Sequence, residues 1–437
     1  MPLRPSSILT TACACLLAIV STPAAHAQAV PTQLVETKSG WELQRDGQPY
    51  FIRGVGGDSR KDELVERGGN SLRTWGVGPE TGAWLDAAHE KGLTVTLGLW
   101  MEHERHGFSY ADEAAVAAQL ERHRQAVLAH KDHPAVLMWS VGNEMEHGVS
   151  DPAAVWRAVE DVAAMIQELD PNHPVMTVIA ELGADAKSVR MIHELCPSVD
   201  VIGINTYGGI VNVGERYRAA NPTKPYVITE HGVLGHWEVG KTHWGLPIEQ
   251  TSTEKAKFYR EGYQNAVVDQ PGWSLGAYTF LWGEKQETTD TWFGMWLRDG
   301  ARTEAVDVIQ TMWTGEPPAN RCPTIAAVQL MGPNVVPPGQ TVRVRISASD
   351  PDNDPLTVRW VVRHASDGDG WGGDFEERNA EVEGAVIKSD LRSATVRLPD
   401  EEGDYRIFYY LYDNHGGAAT ANVPLLVSTD DNAGASR

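Results

Sequence analysis

The sequence predicts an α/β fold, a (β/α)₈ TIM barrel, followed by a small all-β sandwich, on three observations. At 437 residues the chain exceeds one ordinary domain and accommodates a barrel of roughly 250 residues with a smaller module attached. From about Trp41 to Trp313, short apolar runs alternate with longer amphipathic ones in eight strand and helix pairs. Past residue 322 the helical periods stop, and β-branched alternating runs take over.

The elements follow in chain order. Residues 1–27 carry Arg4, an apolar centre at 13–20 and the small-residue ending Ala25-His26-Ala27, the pattern of a cleaved secretory signal peptide. Export follows as an expectation, to the medium or the periplasm. No later run reaches the ~20 apolar residues that a membrane helix needs. Barrel strands are expected at residues 50–54, 71–75, 94–100, 135–141, 174–179, 199–205, 225–229 and 274–281, within a catalytic domain spanning 28–314. Helices are expected at 112–131, 152–169, 184–195, 253–268 and 303–313. A doubly wound sheet shares this alternation, but Gly54-Val-Gly56-Gly57 lacks the glycine spacing and acidic partner of its phosphate turn. Gly315 to Asn320, with two prolines and no period, marks a linker over 315–322. The sandwich occupies 323–428, with strands at 341–347, 356–362, 394–398, 405–412 and 419–427; the small polar tail 429–437 reads as disordered.

Charge narrows the function. The formal net charge is -22, and cleavage after residue 27 would remove one arginine and no acid. Such a field repels phosphate backbones and anionic lipid, so nucleic acid and membrane surfaces are excluded as expected partners. A neutral oligosaccharide or polysaccharide fits better. Of four cysteines two fall within the leader, leaving Cys196 and Cys322, which are open to two readings: one disulfide, or two buried thiols.

Residues at the carboxyl ends of barrel strands face the active site. Those ends hold Arg73 and Trp75 on strand two, Trp100 and His103 on three, and Asn143 and Glu144 on four. Asn205 and Tyr207 end strand six, Glu230 and His231 strand seven, Trp282 and Glu284 strand eight. An acid that follows an aliphatic strand is costly in a core and cheap at a strand's open mouth. Two such acids, Glu144 and Glu230, lie across the mouth from each other. Glycosidic cleavage needs that pair, one acid to protonate the leaving oxygen and one anion to face the cationic sugar; aromatic residues suit the apolar faces of sugar rings.

The run Lys131-Asp-His-Pro-Ala-Val-Leu-Met-Trp-Ser-Val-Gly-Asn-Glu144 resembles the acid/base signature of clan A glycoside hydrolases, nearest to the barrel domain of glycoside hydrolase family 2. Lys224-Pro-Tyr-Val-Ile-Thr-Glu230-His-Gly232 resembles that clan's nucleophile strand. Asn70-Ser-Leu-Arg73-Thr-Trp is similar to its strand-two arginine motif, residues 86–92 to the helix after it, and Asp200-Val-Ile-Gly-Ile-Asn205-Thr-Tyr207 to its strand-six tyrosine. The resemblance implies a retaining double displacement with Glu144 as acid/base and Glu230 as nucleophile, whose carboxyl groups stand ~5 to 5.5 Å apart. It further implies that Asn143 binds the substrate's 2-hydroxyl, that Arg73 and Tyr207 keep Glu230 ionised, and that Trp282 floors the subsite beside the bond.

Strand two departs from the family: Trp75-Gly-Val stands where histidine, tyrosine and proline are usual, and none of the domains that usually precede the barrel is expected within residues 1–40. Substrate therefore stays open. Transfer of a β-glucan chain to another sugar is an alternative using the same glutamates, and a non-catalytic glycan-binding barrel is a second. Trp237 and Trp244 after strand seven, and Trp292 and Trp296 after strand eight, are expected either to extend the cleft, Trp237 and Trp292 foremost, or to pack the loops. His103, His106, His236 and His243 lack zinc-ligand spacings, so neither a catalytic metal nor any cofactor is expected. Asp350, Asp352 and Asp354 read first as turn formers, with calcium binding as the alternative. The segments 347–357 and 412–416 resemble turns of immunoglobulin-like modules that accompany secreted glycosidases.

Overall fold

The computed structural model describes residues 28–366 and 373–429. The expected leader, and all but the first residue of the expected tail, lie outside these. A hairpin that the sequence reading did not anticipate comes first, Thr32–Thr37 paired antiparallel with Gly40–Arg45. Gly40 turns it at φ 114°, and a β-carbon there would run into the backbone of Gly272. Trp41 N–H donates to the Gly272 carbonyl at 2.8 Å and Thr32 N–H to that of Asn172 at 2.8 Å, so the hairpin lies against the amino-terminal end of the barrel.

Eight parallel strands close in a ring: Ile52–Gly56, Ser71–Arg73, Thr94–Leu99, Val136–Val141, Val175–Ala180, Val201–Asn205, Tyr226–His231 and Ser274–Thr279. Each overlaps the strand expected for it. Val136–Val141 is buried at every position, the mark of a strand covered on both faces. Met138, Met176, Val178, Val201, Val227 and Tyr278 form one cluster in the ring, where the Tyr278 hydroxyl lies 2.9 Å from Ser71 Oγ. Trp139 packs instead with the helices, its indole N–H held by Asp170 at 2.7 Å.

The surrounding helices start where the sequence supplies caps. Asp112 accepts two backbone N–H groups at the head of Glu113–His130, and Asp151 does so for Pro152–Leu169, whose proline occupies the first turn. Thr251 and Glu254 form a capping box on Ser252–Tyr263. Lys61–Glu66 and Val213–Ala219 were not anticipated, being too short to carry a period.

The C-terminal region consists of two antiparallel sheets enclosing one core. Thr324–Met331, Thr341–Ser349, Ser393–Arg397 and Val386–Ser389 form one sheet; Gly417–Val427, Gly403–Tyr412 and Thr357–His364 form most of the other. Val344, Ile346, Val396, Tyr409, Leu411 and Leu425 meet between them. The second sheet is extended from the barrel side, because Arg302 and Thr303 pair parallel with Gly417 and Ala418. Residues 315–322 contain no helix or strand, yet they are fastened: the Asn320 carbonyl accepts from Arg302 Nη2 at 2.6 Å and the Cys322 amide donates to Asp307 at 2.7 Å. Cys196 and Cys322 are both buried and free, so of the two cysteine readings the thiols hold.

Candidate active site

Strand four ends at Val141, and the chain then bends through Gly142 and Glu144, at φ 69° and 55°. Glycine takes the left-handed region without strain, whereas Glu144 does so at some cost. Its amide is held in place by the Val178 carbonyl at 3.0 Å. The bend carries the Glu144 side chain over the barrel mouth toward strand seven.

Three donors converge there on Glu230. Arg73 Nη1 and the Trp75 indole N–H reach Oε1 at 2.9 and 2.8 Å, and the Tyr207 hydroxyl reaches Oε2 at 3.0 Å. Arg73 is 1% exposed, and its Nη2 donates to Asn143 Oδ1 at 2.6 Å. Burial, then the charges of Glu230 and Glu144, raise the Tyr207 phenol well above its usual range, so it stays a donor.

Asn205 ties Glu144 to Asn143, which Arg73 links in turn to Glu230. Its Nδ2 donates to Glu144 Oε1 at 2.7 Å and to Asn143 Oδ1 at 3.1 Å, while Thr229 Oγ1 donates to its Oδ1 at 2.8 Å and fixes the amide orientation. Burial, and next the negative charge of Glu230, push Glu144 up to about 7; Asn205 and Arg73 oppose the shift without cancelling it. Two carboxyl groups thus sit in one cleft with unlike surroundings, one gripped by three donors and the other poised near neutrality.

Aromatic rings make one wall. Trp237 is 51% exposed and stands edge-on to Tyr207 at 5.6 Å. Phe280 lies 6.1 Å from Trp75, 6.2 Å from Tyr207 and 5.8 Å from Phe293. Opposite, half-buried Trp100 rests on His103 at 5.1 Å; burial and the nearby Arg105 lower that imidazole to about 4, so His103 is a neutral support, itself buried.

Two aromatic expectations are corrected. Trp282 does not present a face to the cleft: it is 1% exposed, packs on Trp296 and Trp313, and donates its indole N–H to the Arg60 carbonyl at 3.3 Å. Phe280, two residues earlier, meets Tyr207 and Trp75 instead. Trp292 is also 1% exposed and bonds the Leu234 carbonyl at 2.9 Å, joining the loops after strands seven and eight. His231 turns away from the mouth against Tyr259 and Tyr263, where burial lowers it to about 3.

Trp75, Asn205 and Phe280 are the site residues that the sequence reading named only as strand ends or not at all. Asn205 had a signal, since it sits two residues before Tyr207 at the end of the same strand. Phe280 had none beyond its aromatic character.

The sandwich reaches this face. Glu376 accepts from Gln286 Nε2 and the Thr288 amide, both at 2.8 Å, and Asp374 lies 3.6 Å from Arg105 on the strand-three loop.

A closed parallel barrel with carboxylates facing each other from strands four and seven defines the glycosidase type of barrel. Residues 65–278 match the family described as glycosyl hydrolases family 2, TIM barrel domain. A β-galactosidase of Photobacterium profundum is 30% identical over 162 residues, 32% of this chain and 15% of that protein. Among solved structures, β-glucuronidases of Faecalibacterium prausnitzii and Ruminococcus gnavus superpose with TM-scores of 0.50, at 15% and 17% identity, each over 65% of this chain and 52% of theirs. At that identity the likeness is one of fold. The chain spans about half the length of those structures and less of the galactosidase. The family match stops inside strand eight, before Phe280 and Trp282.

Proposed function

We propose that the protein hydrolyses a neutral β-linked glycan by double displacement with retention, Glu230 acting as nucleophile and Glu144 as acid/base. The observation that carries this reading is the unequal setting of the two carboxyl groups: three donors orient Glu230, while Glu144 is raised to about 7. In the first step a Glu230 oxygen attacks the anomeric carbon, and Glu144 delivers its proton to the departing oxygen. In the second step Glu144, now ionised, takes a proton from water as that water displaces the Glu230 ester. Asn143 has its carbonyl oxygen occupied by Arg73 and Asn205, which leaves its amino group to donate to the sugar's 2-hydroxyl.

Trp237, exposed beside Tyr207 and Phe293, offers the apolar platform for a sugar ring in this reading, and Trp100 the opposite one. The net charge of -22 disfavours an anionic polymer, and the relative carrying the name β-galactosidase fits a neutral sugar. Export through the leader at 1–27 belongs to the same proposal, as does an immunoglobulin-like identity for the sandwich, which would brace the loops after strands seven and eight. A panel of aryl β-glycosides and β-glucan oligosaccharides, with products identified, tests the reading. Glu144→Ala and Glu230→Ala should each lower kcat/KM on natural glycans by several kcal/mol of transition-state stabilisation, on the order of a thousandfold or more. Activity within a few-fold of wild type in both variants would refute it.

A further inference from the structure

At the junction between the connector and the sandwich lies a set of carboxylates that hydrolysis does not use. Asp350 and Asp354 occupy the turn after Thr341–Ser349, and Asp413 the turn between Gly403–Tyr412 and Gly417–Val427. Oxygens of the three lie within 4.8 Å of one another. In two of them one oxygen is already committed to backbone. Asp350 Oδ1 accepts from the amides of Asp352 and Asp354 at 2.8 and 2.9 Å, and Asp413 Oδ1 from those of His415 and Gly417 at 2.7 and 2.8 Å.

The remaining oxygens are stranded. Asp350 Oδ2 and Asp413 Oδ2 are buried with no hydrogen-bond partner among the described residues, and Asp413 is 0% exposed. Asn320, on the connector, donates through Nδ2 to Asp354, and its own Oδ1 is likewise buried without a partner. A β-carbon on Gly417 would collide with Asp413 Oδ2, so the neighbouring position is one that leaves that oxygen room. The nearby arginines are engaged elsewhere, Arg321 with Asp352 at 2.7 Å and Arg302 with Asp307 at 2.9 Å. The His415 ring stands 3.6 Å from Asp354, and the charge of Arg302 also reaches Asp413.

We propose that this cluster binds Ca²⁺, with Asp350 Oδ2, Asp354, Asp413 Oδ2 and Asn320 Oδ1 as protein ligands and water completing the shell. The donor set is all oxygen and rich in carboxylate, the preference of a hard cation that tolerates an irregular shell. A divalent ion answers both anomalies together, the clustered negative charge and the acceptors without donors. It also explains a division within the aspartate run: Asp352, placed with the other two in the sequence reading, faces Arg321, and Asp413 from a distant turn takes its position in the set. Because Asn320 belongs to the connector and its carbonyl is held by Arg302, the ion would fasten the connector, the sandwich turn and the last hairpin into one unit.

The test uses the full chain, stripped with chelator and desalted, then titrated with CaCl₂ by calorimetry alongside thermal unfolding. One ion per chain is expected, with Kd on the order of 10⁻⁵ to 10⁻³ M, and a rise in Tm at saturating CaCl₂. Asp350→Asn and Asp354→Asn should each weaken binding by about tenfold or more while the apo proteins unfold near the wild-type temperature; Asp352→Asn should bind as wild type. Asp413→Asn is less informative, since Asp413 is 0% exposed and a folding defect there would mix with lost binding. Absence of binding heat and of any Tm shift at ~10 mM CaCl₂ would overturn the proposal, as would wild-type affinity in both Asp350→Asn and Asp354→Asn.

Discussion

Trp75 and Arg73 share one oxygen of Glu230, the indole at 2.8 Å and the guanidinium at 2.9 Å. The second residue after Arg73 on strand two thus works on the same carboxylate, where the sequence departs from the family it resembles. Gly98 makes this possible, since a β-carbon there would strike the backbone of Thr74 and Trp75. Trp75→Phe keeps the ring and deletes one donor to a charged acceptor, a loss of about 1.5 to 3 kcal/mol. Steady-state kinetics should show kcat/KM down roughly tenfold to a hundredfold with the fold intact; an unchanged value would remove Trp75 from the machinery.

The pH profile should carry an alkaline limb near 7. Glu144 must be protonated to act as acid, and burial and the Glu230 charge raise it to about 7, so activity falls as pH rises through that value. Deleting the Glu230 charge removes a raising influence, so Glu230→Gln should move the Glu144 titration downward, measured by NMR of carboxyl-labelled glutamate. The stability sign agrees: a raised acid favours the fold fully below its unfolded pKa, and that contribution fades as pH climbs from about 4.5 past 7. Thermal melts across this range should show more loss in wild type than in Glu144→Gln.

Trp237 and Trp292 should separate binding from folding. Trp237→Ala removes an exposed platform and should raise KM with little change in Tm. Trp292→Ala empties a buried site bonded to Leu234 and should cost about 3 to 5 kcal/mol of stability. Reversed outcomes would place the sugar against the wrong ring.

Asp290 fastens the loop after strand eight to the sandwich, accepting from Arg363 Nη1 at 3.2 Å and from the Tyr410 hydroxyl at 3.1 Å, with Arg378 beside it. Asp290→Ala leaves the nearly buried Arg363 with fewer partners on the barrel side, a loss of about 3 kcal/mol. Faster proteolysis between barrel and sandwich is the expected readout; wild-type resistance would mean that the sandwich is held by other contacts.

Much of this arrangement was legible in the sequence because burial writes strong patterns. Strands such as Val136–Val141, apolar but for Ser140, and capped helices such as Pro152–Leu169 declare themselves within a dozen residues. Glu144 and Glu230 were legible because an acid ending such a strand has few other reasons to be there. Trp282 and Trp292 were not, because a tryptophan's sequence context is the same whether its face meets sugar or another indole; only three-dimensional packing on Trp296, Trp313 and Leu234 distinguishes them. Asp413 and Asn320 lay beyond reach for a similar reason, since nothing local joins them to Asp350. The hairpin at 32–45 was missed because its partly exposed strands alternate weakly.

The assignment of Glu230 and Glu144 to opposite faces of the sugar is the central claim, and azide rescue tests it most directly. On an aryl β-glycoside with a good leaving group, azide should enter the space vacated in Glu230→Ala, attack in a single displacement and yield the α-glycosyl azide. In Glu144→Ala the Glu230 ester still forms, and azide arriving from the opposite face should yield the β-glycosyl azide. NMR of the anomeric proton distinguishes the two products. An α product from Glu230→Ala and a β product from Glu144→Ala is the predicted result; the same anomer from both variants, or the reverse assignment, would contradict it.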